Sequence, residues 1–287
     1  MAPAPKCHIR SRKLTEAPVP DKPLQLPPHL QGRQRICMCV PTLSPSGIHQ
    51  VSRLPLVSIL ISSLVKSVSK ANGGKDPEFT FVVYIAYDEG DRIYDLRGPE
   101  VWAALKNITL GSQVHVHAFK MPPTKGGIAH LWNALMLAAY QDGCEYFYQL
   151  NDDVEMVTAG WASRFVETLR ASPMRSNYGV VGALDENNHL VLTQSMVHRT
   201  HQEIFGRHFP PTLKNWHLDD WISTLYQPEA TFHLKEGAHK VLIRNTNAFG
   251  TRYAECREDE KWFRNEIVRG RDLIQRWWEA QQSAAAA

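Results

Sequence analysis

The chain has 287 residues, 43% of them hydrophobic and 21% charged, with a formal net charge of +3. That length and apolar content suffice for one large α/β domain or two small ones, and so small a net charge gives no argument for a nucleic-acid binder that works by bulk electrostatics, leaving only a local basic patch open. Five cysteines, Cys7, Cys37, Cys39, Cys144 and Cys256, are odd in number and scattered without CxxC pairs, a usage that predicts reduced thiols in the cytosol or nucleus.

Residues 1–34 carry prolines throughout and no apolar stretch of signal-peptide length, so they are expected to form a disordered or loosely attached lead segment. The most apolar stretch, 54–68, is interrupted by serines and Lys66 and is too short for a membrane span. It is read as the first helix. The folded part is expected to open with a strand at 35–42 that runs into a Pro/Ser/Gly loop, followed by that helix over 54–70. Residues 79–87 are a continuous β-branched and aromatic run suited to a strand buried on both faces, and Asp88, Glu89 and Asp91 follow it. Strand, helix, strand with acids at the second strand's end is the start of a nucleotide-binding α/β half. A helix over 102–107 and a strand over 113–119 come next; His115 and His117 alternate onto one face of that strand and read as half-buried strand residues rather than ligands.

The stretch 124–155 is the most informative. Lys125, Gly126 and Gly127 make a small-residue loop, 128–140 has helical periodicity, Asp142 and Gly143 close that helix, and 145–150 reads as a buried strand. Asn151, Asp152, Asp153 and Glu155 follow where the strand leaves the sheet, the edge at which open α/β sheets bind ligands. Paired carboxylates there can hold a hard divalent cation whose remaining positions are filled by phosphate and water; the plain alternative is a polar turn. Lys125, at the entrance to the helix, suits phosphate, and is otherwise a surface lysine.

The succession of Lys125, Gly126 and Gly127, then Asn133 and Ala134 on the helix, then Asp152 and Asp153, resembles the centre of family 2 type glycosyltransferases. The resemblance implies an α/β GT-A fold: a single-domain, Rossmann-like α/β/α sandwich with a mixed sheet that transfers sugar from a nucleotide-sugar. Asn151 stands where the family has its first acid, so Asp153 is the implied metal ligand and Asp152 is implied to face the sugar or ribose. Pro41, Thr42 and Asp88 would flank the base and ribose, and Lys125, Gly126 and Asn133 complete the implied donor site. The implied cofactor is Mn2+ or Mg2+ and the implied donor a nucleotide-sugar such as a UDP-sugar. The acceptor, a glycan, a protein or a nucleic-acid base, stays open.

Beyond the acids, a helix is expected over 159–170, a strand over 178–184 with a hairpin partner in 189–196, and an irregular lid or acceptor loop to 218. Asp219 and Asp220 precede an apolar helical run, where either can serve as the helix N-cap. An inverting transfer needs a carboxylate base, and the resemblance puts it at this pair, with Asp220 slightly preferred over Asp219. Residues 232–243 read as two short strands around Glu236 and Gly237. By resemblance a late histidine joins the metal shell, His239 first, with His198 and His233 behind it. Arg244 and Arg252 suit a diphosphate because guanidinium matches phosphate oxygens bidentately, with plain surface arginine as the alternative. A charged helix over 259–279 is expected to dock through Trp262, Phe263, Ile267, Leu273, Trp277 and Trp278. The expected organisation is residues 1–34 as the lead segment, 35–280 as one domain divided at 156 into nucleotide-sugar-binding and acceptor halves, and 281–287 as a tail. Two further readings stand beside the transferase: a metal-dependent nucleotidyltransferase, and a scaffold of the same fold that binds without catalysis.

Overall fold

The computed structural model describes residues 24–69, 78–123, 127–247, 250 and 260–286. Four parallel strands form one half of the sheet: β1 (Gln34–Thr42), β2 (Phe79–Asp88), β3 (Val114–Met121) and β4 (Tyr146–Gln149). They lie in the order β3-β2-β1-β4, with β1 pairing in register with β2 from Gln34 against Phe79 to Thr42 against Tyr87. The other half is built from β5 (Val154–Met156), β6 (Val180–Asp185), β7 (Ser195–His198), β8 (Thr231–Leu234) and β9 (Leu242–Asn245). Here β7 runs antiparallel to both β4 and β6, and β5 antiparallel to β9. The sheet is therefore mixed, as expected.

Helices cover both faces. A π-helical stretch, Leu56–Ile61, continues as α1 (Ser62–Ser69), and together with α2 (Gly98–Thr109) and α4 (Trp161–Arg170) it packs on one side. On the other lie α3 (Ile128–Gln141), α5 (Thr200–Phe205), α6 (Leu218–Leu225) and α7 (Glu260–Ala286). Strand periodicity divides β1 between the two layers: Ile36, Met38 and Val40 enter the first core, Cys37 and Cys39 the second. All five are fully buried, and each large apolar side chain so placed stabilises the fold by about 1.5–3 kcal/mol relative to exposure.

Several expectations change. Cys37 and Cys144 form a disulfide between β1 and the residue leading into β4, while Cys39 is a free buried thiol; spacing along the chain cannot reveal this pair, which the fold brings to a Cα separation of 6.1 Å. Residues 24–33, grouped above with the lead segment, are packed: Leu24 and Leu26 lie against the second core and Thr80 donates to the Leu30 carbonyl. The hairpin partner of β6 begins only at Ser195. Over 192–194 hydrogen bonds involving side chains replace the ladder: the Leu192 amide donates to Ser223, Thr193 to Asp185, and Gln194 accepts from the Asn151 amide. The two strands expected around Glu236 are both present, as β8 and β9. They lie end to end along β6, both parallel to it, with β8 on Val180–Ala183 and β9 on Leu184 and Asp185.

The aspartates before Trp221 are inside α6, in its first turn, where negative charge suits the helix dipole; the residue preceding the helix is His217, at φ 62°. On α7, Trp262 and Leu273 are 56% and 42% exposed. Phe263, Ile267, Trp277 and Trp278 dock as expected, and Gly270 and Ile274 complete the stripe, three to four residues apart as one helical face requires. Gly270 permits that approach, since a Cβ there would stand 2.6 Å from the Leu225 side chain. The helix also continues through most of the expected tail, where alanine is the strongest helix former. Among the described residues no helix is long and apolar enough to cross a membrane.

Candidate active site

At the carboxyl ends of β1 and β4 lies a pocket of about 220 Å³. Pro41 comes from the end of β1, Gln149 ends β4, and Asn151, Asp152 and Asp153 follow at once. Ile128 and Trp132 of α3 form one wall, Asn215, Leu218 and Asp219 another, and Asn247 and Gly250 reach in from beyond β9. Three carboxylates, Asp152, Asp153 and Asp219, converge here, and no lysine or arginine lines the pocket among the described residues.

Each acid is held by a different part of the chain. The Thr42 hydroxyl donates to Asp152 Oδ2 at 2.5 Å, joining the β1 and β4 edges, and both side chains are buried. The Asp153 backbone carbonyl accepts from the Thr246 amide at 3.2 Å and the Thr246 hydroxyl at 3.0 Å, which fixes the acid against the exit of β9. Asp219 is half-buried at the start of α6. Burial pushes its carboxyl up to about 8, with the negative charges of Asp220 and Asp185 adding to the effect and a hydrogen bond with Gln149 opposing it. Gln149 in turn accepts from Ser195 at 3.3 Å. Asp185 itself is buried and fully engaged, accepting from Thr193 and from the Asn187 and Asn245 amides.

Of the residues singled out from sequence, Pro41, Asp152, Asp153 and Asp219 line the pocket, and Thr42 supports it from beneath. Asp220 does not line it; its carboxylate is 48% exposed and pairs with His217 Nδ1 at 3.2 Å. Asp88 ends β2 at the same edge of the sheet without lining the cavity. Asn133 is used structurally: its Oδ1 accepts from the His208 and Phe209 amides and its Nδ2 donates to the Phe209 carbonyl. An asparagine on a helix carries no sign of which way its amide points. Arg244 is exposed and bridges Glu155 and Glu186 on either side, away from the pocket. His239 sits in the exposed connection between β8 and β9, while His198, at the end of β7, stacks edge-on against Tyr146 and hydrogen-bonds Thr200. His233 lies on β8, outside the pocket lining. Among the described residues no group of three or more potential ligands is arranged for a metal. Lys125, Gly126 and Arg252 lie outside the described residues.

Gln149, Thr193 and Asn215 were missed. Gln149 carried a signal, a polar residue ending the otherwise aromatic run Tyr146, Phe147, Tyr148 and buried with it. Thr193 had none, because a strand was expected there.

No protein-family model matches the chain, and none of the curated proteins does. Solved structures do match, at low identity. A mannosyltransferase from Pyrobaculum calidifontis in complex with GDP-Man and Mn2+ is 14% identical, with a TM-score of 0.48, over 77% of this chain and 60% of its own. S. aureus TarS 1–349 in complex with UDP is 14% identical over 75% of this chain and 61% of its own, with a TM-score of 0.44. A cytidylyltransferase from Leptospira borgpetersenii is 7% identical over 70% of this chain, with a TM-score of 0.42. The chain thus spans about three fifths of the length of the mannosyltransferase and TarS structures.

Proposed function

We propose that the protein is a metal-dependent glycosyltransferase that moves a sugar from a nucleotide-sugar, a UDP-sugar in the first instance, to an acceptor hydroxyl or amine with inversion. The observation that carries this reading is the convergence of Asp152, Asp153 and Asp219 on one pocket at the carboxyl edge of the sheet with no cationic side chain among the described lining residues. A diphosphate entering such a pocket meets net negative charge unless a cation accompanies it. The donor set fits a hard divalent ion held by one or two carboxylates, with phosphate and water completing the shell. Asp153 would be its principal ligand, and Mn2+ or Mg2+ there supplies charge neutralisation for the departing diphosphate.

The chain's own groups divide the remaining work. Thr42 keeps Asp152 oriented toward the donor's sugar or ribose. Asp219, on the opposite wall, is the base in this reading in place of Asp220, because it faces the pocket while Asp220 is turned to His217. It takes the proton of the acceptor as the acceptor's oxygen or nitrogen bonds to the anomeric carbon, and the bond from that carbon to the diphosphate breaks on the far side. Gln149 holds the carboxylate in place by the hydrogen bond they share.

Calorimetry of UDP and GDP, each with and without Mn2+, on the wild type and on Asp153→Ala tests the donor site. Nucleotide binding that requires the metal and is lost in the variant supports the reading. Binding of neither nucleotide under any condition removes it.

A further inference from the structure

The largest cavity among those described lies away from the three acids. It is a groove of about 610 Å³ between α2, strand β3 and the turn at Pro28–Leu30. Five successive residues of β3, from Val114 to Ala118, line it, so the groove runs along the strand's edge rather than over one face. At about 3.3 Å per residue those five positions extend over roughly 13 Å.

That edge is open. β3 is the last strand of the sheet on its side, and among the described residues nothing pairs with its far edge. The ladder to β2 fixes which groups point outward. The Phe81 amide donates to the Gln113 carbonyl and the Glu89 amide to the Met121 carbonyl, so the odd-numbered residues of β3 face β2. In a parallel ladder the intervening residues then direct their N–H and C=O the other way. Val114 is capped, its amide donating to Ser112 Oγ at 3.1 Å. Val116 and Ala118 have no such cap among the described residues, and together they leave two donors and two acceptors in extended spacing. Natural proteins blunt edges of this kind with prolines, bulges or inward charges, and none of these occurs over 114–118.

The walls select the occupant. Trp102 and Leu105 of α2 make one side apolar, and Leu110 stands 78% exposed at its end. His115 and His117 alternate onto the other side, with Lys106 above and His29 at the mouth, and no carboxylate lines the groove. We infer that this groove docks an extended, acidic peptide segment of a partner protein. The segment adds one strand to β3 through Val116 and Ala118, buries an apolar side chain against Trp102 and Leu105, and sets a carboxylate near Lys106. Main-chain pairing gives such additions their affinity, and the side pockets give their selectivity. A second copy of this chain is disfavoured, because its own edge there carries Lys106 and no carboxylate to set against Lys106.

Fluorescence anisotropy on the full chain provides the test, with labelled Glu-Val-Glu-Val-Glu as probe and three comparisons: Lys-Val-Lys-Val-Lys, the acidic peptide with both of its valines N-methylated, and the variants Val116→Pro and Lys106→Glu. The expected result is binding of the acidic peptide at least tenfold tighter than the basic one, a loss of tenfold or more on N-methylation, and similar losses in both variants, whose melting temperatures report that the fold is retained. Proline is tolerated on an outward-facing edge position, and Lys106→Glu leaves the strand untouched. Equal binding of the N-methylated peptide, or none of the acidic peptide at millimolar concentration, overturns the inference. So does a concentration-dependent dimer in analytical ultracentrifugation that Val116→Pro abolishes, since it assigns the edge to a second copy.

Discussion

Replacing Asn133 with alanine separates its structural role from the donor-site role implied by the sequence. Three hydrogen bonds join the Asn133 amide to the backbone at His208 and Phe209, at 3.1, 2.8 and 2.9 Å. Both of those residues are fully buried. Truncation leaves two amide donors and one carbonyl in the interior without partners. At a net value of about 1 kcal/mol per hydrogen bond, rising toward 1–3 kcal/mol for each group stranded away from water, the loss is about 3–5 kcal/mol. In a domain of this size that corresponds to a fall in melting temperature of roughly 6–20 °C. Thermal unfolding followed by circular dichroism measures it, with nucleotide titration at a temperature where the variant is folded. Asn133→Asp, which keeps the acceptor for both amides, should lose less than Asn133→Ala. A melting temperature within about 2 °C of wild type would refute the clamp, and unchanged stability with lost nucleotide binding would restore the donor-site role.

Other outcomes follow from the same geometry. Asp219→Asn should abolish sugar transfer while leaving metal-dependent nucleotide binding within a few fold, and wild-type transfer should rise with pH toward about 8 as the base loses its proton. The raised carboxyl also affects stability. In the unfolded chain Asp219 ionises in the ordinary carboxylate range, whereas the folded chain retains the proton up to about 8, so stability should fall as pH rises through that window and Asp219→Asn should flatten the dependence in chemical denaturation. Gly179→Ala should destabilise by roughly 2–4 kcal/mol, read from urea unfolding, because its φ is +119° and a Cβ would stand 2.3 Å from the Ala230 carbonyl oxygen. Arg244→Ala should leave nucleotide affinity unchanged in calorimetry, since its partners are Glu155 and Glu186 at the surface.

How much was legible depended on whether the signal was local. Strand β2 announced itself as an unbroken apolar run because both its faces are covered, and α3 with its closing Gly143, at φ 81°, followed from periodicity and the need for a left-handed residue. The acids after β4 were singled out because open α/β sheets bind ligands where their strands end, and Asp152 and Asp153 do line the pocket there. Side-chain direction was not legible. Asp219 and Asp220 are adjacent in sequence, yet a helix turns about 100° per residue, so one faces the pocket and the other pairs with His217. Arg244 looked free for phosphate until the fold supplied two carboxylates from β5 and from the turn after β6. The Cys37–Cys144 pair and the end-to-end arrangement of β8 and β9 depend on contacts between residues far apart in the chain, which composition and periodicity do not encode.

The tie between Thr246 and Asp153 bears on the order in which the molecule assembles. The acid emerges with β4, but the residue that fixes its backbone is 93 positions later, and the third carboxylate, Asp219, lies between them in sequence. A growing chain that has formed β1 to β4 already carries Asp152 and its Thr42 partner, while Asp153 lacks its anchor and the opposite wall does not exist. Closing so long a loop comes late, because its entropic cost precedes the contacts that reward it. The pocket is therefore expected to be among the last parts of the protein to form and, under mild denaturant, among the first in which amide exchange quickens.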